Sequence, residues 1–145
     1  MYTDANYAEK ADDRRSVSGV AVTVGNSTVS WSSSTQKIVT LSTTEAEYVA
    51  LEDGFKEGLL VKAVLSFIVP SLLEKSIKVL VDKEGAIKLA ANPRSSACTK
   101  HIDVRFPFIR ELVRTGTIAV EHIPTKEQRG ANFREHRNFL LNLHE

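Results

Sequence analysis

The feature that most constrains the fold is a long helical pattern from Thr43 to about Ile68, which ends near Pro70. From Glu47 onwards, small and apolar residues recur there at helical spacing, as expected for a helix that packs on a sheet. The apolar run SIKVLVDK follows and predicts a strand covered on both faces. Because a strand that follows a long helix is usually reached by a parallel crossover, this order favours a sheet that contains parallel strands.

Three strand patterns precede the long helix. Met1 to Tyr7 reads as a short strand, and the β-branched runs SVSGVAVTV and TVSWSS flank a turn at Gly25-Asn26, so they should pair as a hairpin. After SIKVLVDK, the sequence predicts a short helix in EGAIKLAAN, a helix up to Gly116 that begins or bends at Pro107, a strand in TIAVEHI and a terminal helix over 131–144. This order predicts an α/β fold: a five-stranded mixed sheet, with three antiparallel strands followed by parallel ones, and helices on its faces.

Length and composition predict one globular domain. With 145 residues and 42% hydrophobic content, we expect a single domain over residues 1–145. The single cysteine excludes an internal disulfide. No apolar stretch has the length of a membrane span or the position of a signal peptide, which predicts a cytoplasmic or nuclear protein. The formal net charge of +1 gives no global nucleic-acid signature, although basic residues outnumber acidic ones over residues 94–137.

Two glutamates stand at the start of the long helix, and they should face opposite ways, because residues two apart on a helix point about 200° away from each other. Ser42 and Glu45 match the S-x-x-E capping box, which gives Glu45 a structural role on a face that should lie toward solvent. Glu47 instead heads the apolar stripe. A buried carboxylate is costly unless something positive meets it, so Glu47 is the candidate functional residue.

Two aspartates are candidates to join Glu47. Asp4 lies within the first strand, and Asp82 ends the buried strand KVLVD. An aspartate at a strand end is more often a turn or cap residue, but if the first and fourth strands are adjacent, all three carboxylates converge. Clustered carboxylates stay ionised when hard cations share their oxygens, which favours Mg²⁺ or Mn²⁺. Two such ions can activate a water for phosphodiester cleavage.

Four segments carry a family resemblance: YTDANYAEKADDRRSVSGVAV, VSWSSSTQKIVTLSTTEAEYVAL, VLVDKEGAIKLAANP and TKHIDVRFPFIRELV. Together, over Tyr2 to about Phe133, they resemble the ribonuclease H domain of Ty1/copia-type retrotransposon polyproteins. The resemblance implies the ribonuclease H fold, two Mg²⁺ ions, hydrolysis of the RNA strand of an RNA/DNA hybrid, and reverse transcriptase or other polyprotein domains as possible partners. The first three acidic positions of the family match Asp4, Glu47 and Asp82.

The sequence departs from this family at the site. Asn132 occupies the position of a fourth catalytic and metal-binding aspartate; its carbonyl oxygen can still bind a metal, but without the charge, so a second ion should be held more weakly. Glu135 could substitute through a water. Lys83, where the family usually has asparagine, could compete with a metal for Asp82. Two functions stay open: an active hybrid-specific endoribonuclease, or a weakened or inactive module that binds nucleic acid or a protein.

A hybrid would be held mainly through its phosphates and 2′-hydroxyls. Trp31 is expected in the core rather than as a platform for base stacking. The predicted nucleic-acid contacts are basic side chains, each of which is explained at least as well as a solvated surface charge: Arg14, Arg15, Lys100, His101, Arg105 and Arg129.

Overall fold

Five strands form one mixed sheet in the computed structural model, which describes residues 1–8, 14–25, 27–91 and 107–127. Its spatial order is β3-β2-β1-β4-β5. The strands are β1 (Tyr2–Asn6), β2 (Val17–Val24), β3 (Ser27–Thr35), β4 (Ile77–Val81) and β5 (Ile118–His122). The helices in the described part are α1 (Thr43–Ile68), α2 (Glu84–Ala91) and α3 (Pro107–Arg114), with 3-10 turns at Pro70–Leu72 and Thr125–Glu127.

The strand pairing agrees with the prediction from the sequence. β1 pairs antiparallel with β2, and β2 pairs antiparallel with β3. β4 lies parallel to both β1 and β5. The first and fourth strands are therefore neighbours, which is the condition on which the convergence of the three carboxylates depended.

Helix α1 begins at the predicted cap. The Ser42 hydroxyl accepts a hydrogen bond from the Glu45 backbone N–H at 3.2 Å. The Glu45 carboxylate accepts one from the Leu41 N–H at 2.6 Å, one residue earlier than a standard capping box. The helix ends at Ile68, directly before Val69 and Pro70, because the residue before a proline is disfavoured in helical conformation.

The prediction that the Glu45 face of α1 points to solvent was wrong for the first two turns. Glu45 is only 2% exposed, and Tyr48 and Val49 on the same face are also buried. The cause is the segment between β3 and α1, which folds over the helix start: the Gln36 amide donates to the Ala46 carbonyl at 2.8 Å. Helical periodicity identified the face but could not reveal this second covering layer.

α1 approaches β1 closely because two glycines face the strand. A Cβ at Gly54 would overlap Thr3 Cγ2, and one at Gly58 would lie 3.0 Å from Met1 Sδ. Real Cβ atoms rarely approach other atoms so closely, so these positions let the helix backbone lie against the strand. This packing fixes the start of α1 relative to the carboxyl end of β1.

β4 differs from the prediction of a strand covered on both faces. Val79 and Val81 are fully buried, whereas Lys78 is exposed and Leu80 is half-buried. The reason is that the described helices contribute to one core on the valine side; this core includes Leu51, Phe55, Ala86, Ala90 and Ile109.

Pro107 is the first residue of α3, as one of the two sequence-based alternatives predicted. Proline is well tolerated there because the N–H of a first helical residue has no partner within the helix. The predicted start of this helix before Pro107 and the predicted terminal helix over 131–144 lie outside the described residues. In the part of the chain that the structure describes, no helix has both the length and the apolar character of a membrane span.

Candidate metal centre

Three carboxylates meet at the edge of the sheet where β1 and β4 end. Asp4, Glu47 and Asp82 each offer an oxygen, and these oxygens all lie within 4.8 Å of one another. The register explains the meeting of the aspartates: Tyr2 in β1 is opposite Leu80 in β4, so two residues further along the parallel strands Asp4 comes alongside Asp82. Glu47 arrives from the second turn of α1.

Glu47 is held by the backbone of β1. Its carboxylate Oε1 accepts a hydrogen bond from the Ala5 N–H at 3.1 Å. The other oxygen, Oε2, is buried and has no hydrogen-bond partner among the described residues. The side chain therefore keeps one oxygen free of hydrogen bonds to the described residues, although Glu47 is only 1% exposed.

The environment of Glu47 disfavours its negative charge. Burial, followed by the charges of Asp4 and Asp82, raises the pKa of Glu47 to about 8, and the Ala5 N–H and the Lys83 ammonium oppose this rise. Near neutral pH and without a cation, the carboxyl therefore retains its proton. A divalent cation would favour the ionised form, because opposite charge stabilises a carboxylate.

Asp82 presents a similar pair of oxygens. Its side chain is 3% exposed, and its Oδ2 lies 3.4 Å from the Lys83 ammonium. The Thr125 hydroxyl donates to the same Oδ2 at 3.1 Å. Oδ1 is buried without a hydrogen-bond partner in the described part of the chain. Lys83 thus contacts Asp82, as the sequence suggested, but on the oxygen that Thr125 also holds.

This arrangement suits a hard divalent cation. The donors are carboxylate oxygens. Glu47 and Asp82 each also carry one buried oxygen without a hydrogen-bond partner among the described residues. Oxygen-only ligand sets are those that Mg²⁺ and Mn²⁺ prefer, whereas zinc sites usually contain histidine or cysteine. The residues present therefore fit the predicted metal.

Two of the six predicted nucleic-acid contacts lie in the described part. Arg14 and Arg15 are exposed and directly precede β2, whose first residue, Val17, is opposite Asn6 at the end of β1. They therefore stand at the same edge of the sheet as the carboxylates. The remaining predicted site residues lie outside the described residues: Lys100, His101, Arg105, Arg129, Asn132 and Glu135.

Sequence reasoning misplaced or missed three residues. Trp31, predicted in the core, is 46% exposed on the edge strand β3. Thr125 was not singled out, although it follows β5, a strand whose carboxyl end should border that of β4. Gln36 was also missed: its amide donates to the Ser18 hydroxyl at 3.0 Å and so ties β2 to the start of α1.

Comparison with known proteins places the chain in a family. No protein-family model matches the chain. The chain is 42% identical over 126 residues, 87% of its length, to the retrovirus-related Pol polyprotein from transposon TNT 1-94 of Nicotiana tabacum. It is 35% identical over 88% of its length to the Pol polyprotein from transposon RE1 of Arabidopsis thaliana. It spans only about 9% of the length of either relative.

The fold has a solved counterpart. LC11-RNase H1, in a crystal structure with an RNA/DNA hybrid, superposes with a TM-score of 0.61 at 17% identity, covering 91% of this chain and 90% of that one. At 17% identity the structural similarity shows only the fold, whereas the Pol polyproteins, at 35–42% identity, show the homology. The chain is thus a homologue of one segment of Ty1/copia-type retrotransposon Pol polyproteins, and it has the ribonuclease H fold.

Proposed function

We propose that this chain is a metal-dependent endoribonuclease that hydrolyses the RNA strand of RNA/DNA hybrids. The observation that carries the proposal is the convergence of Asp4, Glu47 and Asp82, whose oxygens lie within 4.8 Å of one another. Such a cluster is unfavourable without cations, as the raised pKa of Glu47 indicates. Unfavourable clusters of this kind are typical of functional sites rather than of structural ones.

In the proposed site, these three side chains hold the divalent ions. When bound, Mg²⁺ or Mn²⁺ supplies an activated water and stabilises negative charge on the phosphate. The protein provides orientation: the Ala5 N–H aims Glu47, and the contacts at Asp82 Oδ2 leave Oδ1 free. Asn132 is the proposed fourth ligand, with a neutral carbonyl oxygen that would hold a second ion weakly.

The proposed substrate is an RNA/DNA hybrid. Binding would use phosphates and 2′-hydroxyls, with Arg14 and Arg15 at the edge of the site, and affinity should fall as salt rises. Other domains of a Pol polyprotein are candidate partners. The remaining proposed contacts are Lys100, His101, Arg105 and Arg129.

A cleavage assay tests this function. A hybrid with a labelled RNA strand is incubated with the natural chain, with Asp4→Asn and with Glu52→Gln, in Mg²⁺ or Mn²⁺. Glu52 is the matched control, because it is an acidic residue of α1 that pairs with Lys56 at 2.6 Å and is not a member of the carboxylate cluster. We expect cleavage by the natural chain and by Glu52→Gln only. Equal background cleavage from all three would contradict the proposal.

A second candidate function is a module that keeps the fold but has lost strong catalysis. Two features favour it: the Lys83 ammonium, 3.4 Å from Asp82, and Asn132 at the fourth ligand position. Lys83→Asn and Asn132→Asp distinguish the two functions. If the natural chain is inactive and either variant cleaves the hybrid, the site has decayed by that single residue. If neither variant cleaves it, binding without catalysis is favoured.

A further inference from the structure

Thr125 reaches the carboxylate cluster from a part of the chain remote in sequence. It opens the short 3-10 turn Thr125–Glu127 that follows β5. Val81 at the end of β4 is paired with His122 of β5, and the Ile123 N–H donates to the Val81 carbonyl at 2.9 Å. These bonds bring the turn beside Asp82, where the Thr125 hydroxyl donates to Oδ2 at 3.1 Å.

The orientation of the Asp82 carboxylate decides which oxygen faces the cluster. Oδ2 is contacted by Thr125 and Lys83, while Oδ1 is buried without a hydrogen-bond partner among the described residues. The Lys83 contact is long, at 3.4 Å, and its side chain is 46% exposed. A lysine is also a flexible point charge, whereas the short threonine side chain has few rotamers. The more restrictive of the two contacts is therefore the neutral one.

We propose that Thr125 is a positioning residue, which holds Asp82 with Oδ1 directed into the cluster and so raises the affinity of the site for a divalent cation. This inference rests on the proposed function, since it presumes that the cluster binds metal. Groups that orient a metal ligand typically contribute a factor of about 10 to 100 in metal affinity.

Thr125 and Lys83 should act in opposite directions, although they contact the same oxygen. The threonine hydroxyl orients the carboxylate without adding charge. The Lys83 ammonium adds a positive charge that repels an incoming cation. Loss of the hydroxyl should weaken metal binding, and loss of the ammonium should strengthen it.

The experiment measures Mn²⁺ binding to the full chain by electron paramagnetic resonance of the free ion. The variants are Thr125→Val, which removes the hydroxyl at nearly constant volume, Thr125→Ser, which keeps it, and Lys83→Gln. Thr115→Val is the matched control, because the partners of its hydroxyl among the described residues lie outside the cluster, such as the Glu111 carbonyl at 2.8 Å. Thermal unfolding without metal checks that each variant is folded.

We expect the Mn²⁺ dissociation constant to rise about tenfold in Thr125→Val, to stay near the natural value in Thr125→Ser and Thr115→Val, and to fall in Lys83→Gln. Equal affinity of the natural chain and Thr125→Val would overturn the positioning role and leave the metal site intact. Equal weakening in Thr125→Ser would also overturn it, since the hydroxyl would then not be the cause. Absence of Mn²⁺ binding in the natural chain would instead remove the proposed metal site, and with it this role.

Discussion

The two halves of α1 have similar apolar content but different surroundings. Around its first half, Ala50, Leu51 and Phe55 are completely buried against the sheet. In its second half, Leu60, Val64 and Phe67 recur at helical spacing yet are exposed, and Phe67 is 95% exposed. The comparison shows that helical periodicity predicts which residues share a face, whereas burial depends on what the rest of the chain brings to that face.

The candidate site lies in the buried half for a physical reason. Clustered carboxylates need fixed geometry, and the start of α1 is fixed by the glycines that let it lie against β1 and by Gln36, which ties it to β2. The tightly packed apolar residues around this half offset the cost of burying Glu47. The exposed residues beyond Gly58 contribute nothing to the carboxylate cluster.

The largest expected effect comes from a matched pair of phenylalanine substitutions, one in each half. Phe55→Ala should lower the free energy of unfolding by about 3–5 kcal/mol, because it leaves a cavity in the core. Phe67→Ala should change it by less than about 0.5 kcal/mol, because the ring is already in water. Urea denaturation measures both. Equal losses would show that the exposed half is covered in solution.

The next effect is expected on hybrid cleavage. Glu47→Gln should reduce hybrid cleavage at least about 100-fold, about 2.7 kcal/mol, because it removes one of the charges that hold the metal. The variant should stay folded without metal, since it also removes an ionisable group from the buried cluster. Activity and thermal unfolding are measured on the same preparation. Activity within a factor of two of the natural chain would show that Glu47 is not a ligand.

Stability should depend on pH through Glu47. Its pKa is about 8 in the folded chain against an ordinary value of 4.5, so the folded state retains a proton that the unfolded state loses. The stabilisation is complete below pH 4.5 and is lost as pH rises toward 8, by an amount on the order of 5 kcal/mol. Urea denaturation in EDTA across this range should show the decline in the natural chain and a smaller one in Glu47→Gln. Identical slopes would assign it to other groups.

Much of this fold could be predicted from the sequence. Local patterns defined the strands and both ends of α1, because β-branched runs, a cap at Ser42 and Pro70 are local signals. The convergence of Asp4 and Asp82 was predicted only on the condition that the first and fourth strands are neighbours, which the structure confirms. The metal-site hypothesis required only these features and the periodic position of Glu47.

What could not be predicted depends on contacts between distant segments. The burial of Glu45 results from the segment after β3 that folds over it. The role of Thr125 depends on the register of β4 against β5, which no local pattern specifies. The exposure of Phe67 requires knowing where the sheet ends beneath the helix. In each case the residue type is compatible with the observed burial or contact but does not determine it.

The smallest expected effect tests the close approach of α1 to β1. Gly54→Ala gains about 1 kcal/mol from helix propensity, but its Cβ overlaps Thr3 Cγ2, a clash of about 1–3 kcal/mol, so a net loss of about 1 kcal/mol is expected. Thr3→Ser removes that methyl group, and in the double variant the alanine should become neutral or stabilising. Because Thr3 lies beside Asp4 on β1, the clash in Gly54→Ala should also lower Mn²⁺ affinity, and Thr3→Ser should restore it. If Gly54→Ala changes the free energy of unfolding equally in the natural chain and in Thr3→Ser, Gly54 is not what brings the helix to the strand. The position of Glu47 must then depend on the hydrogen bonds at the start of α1.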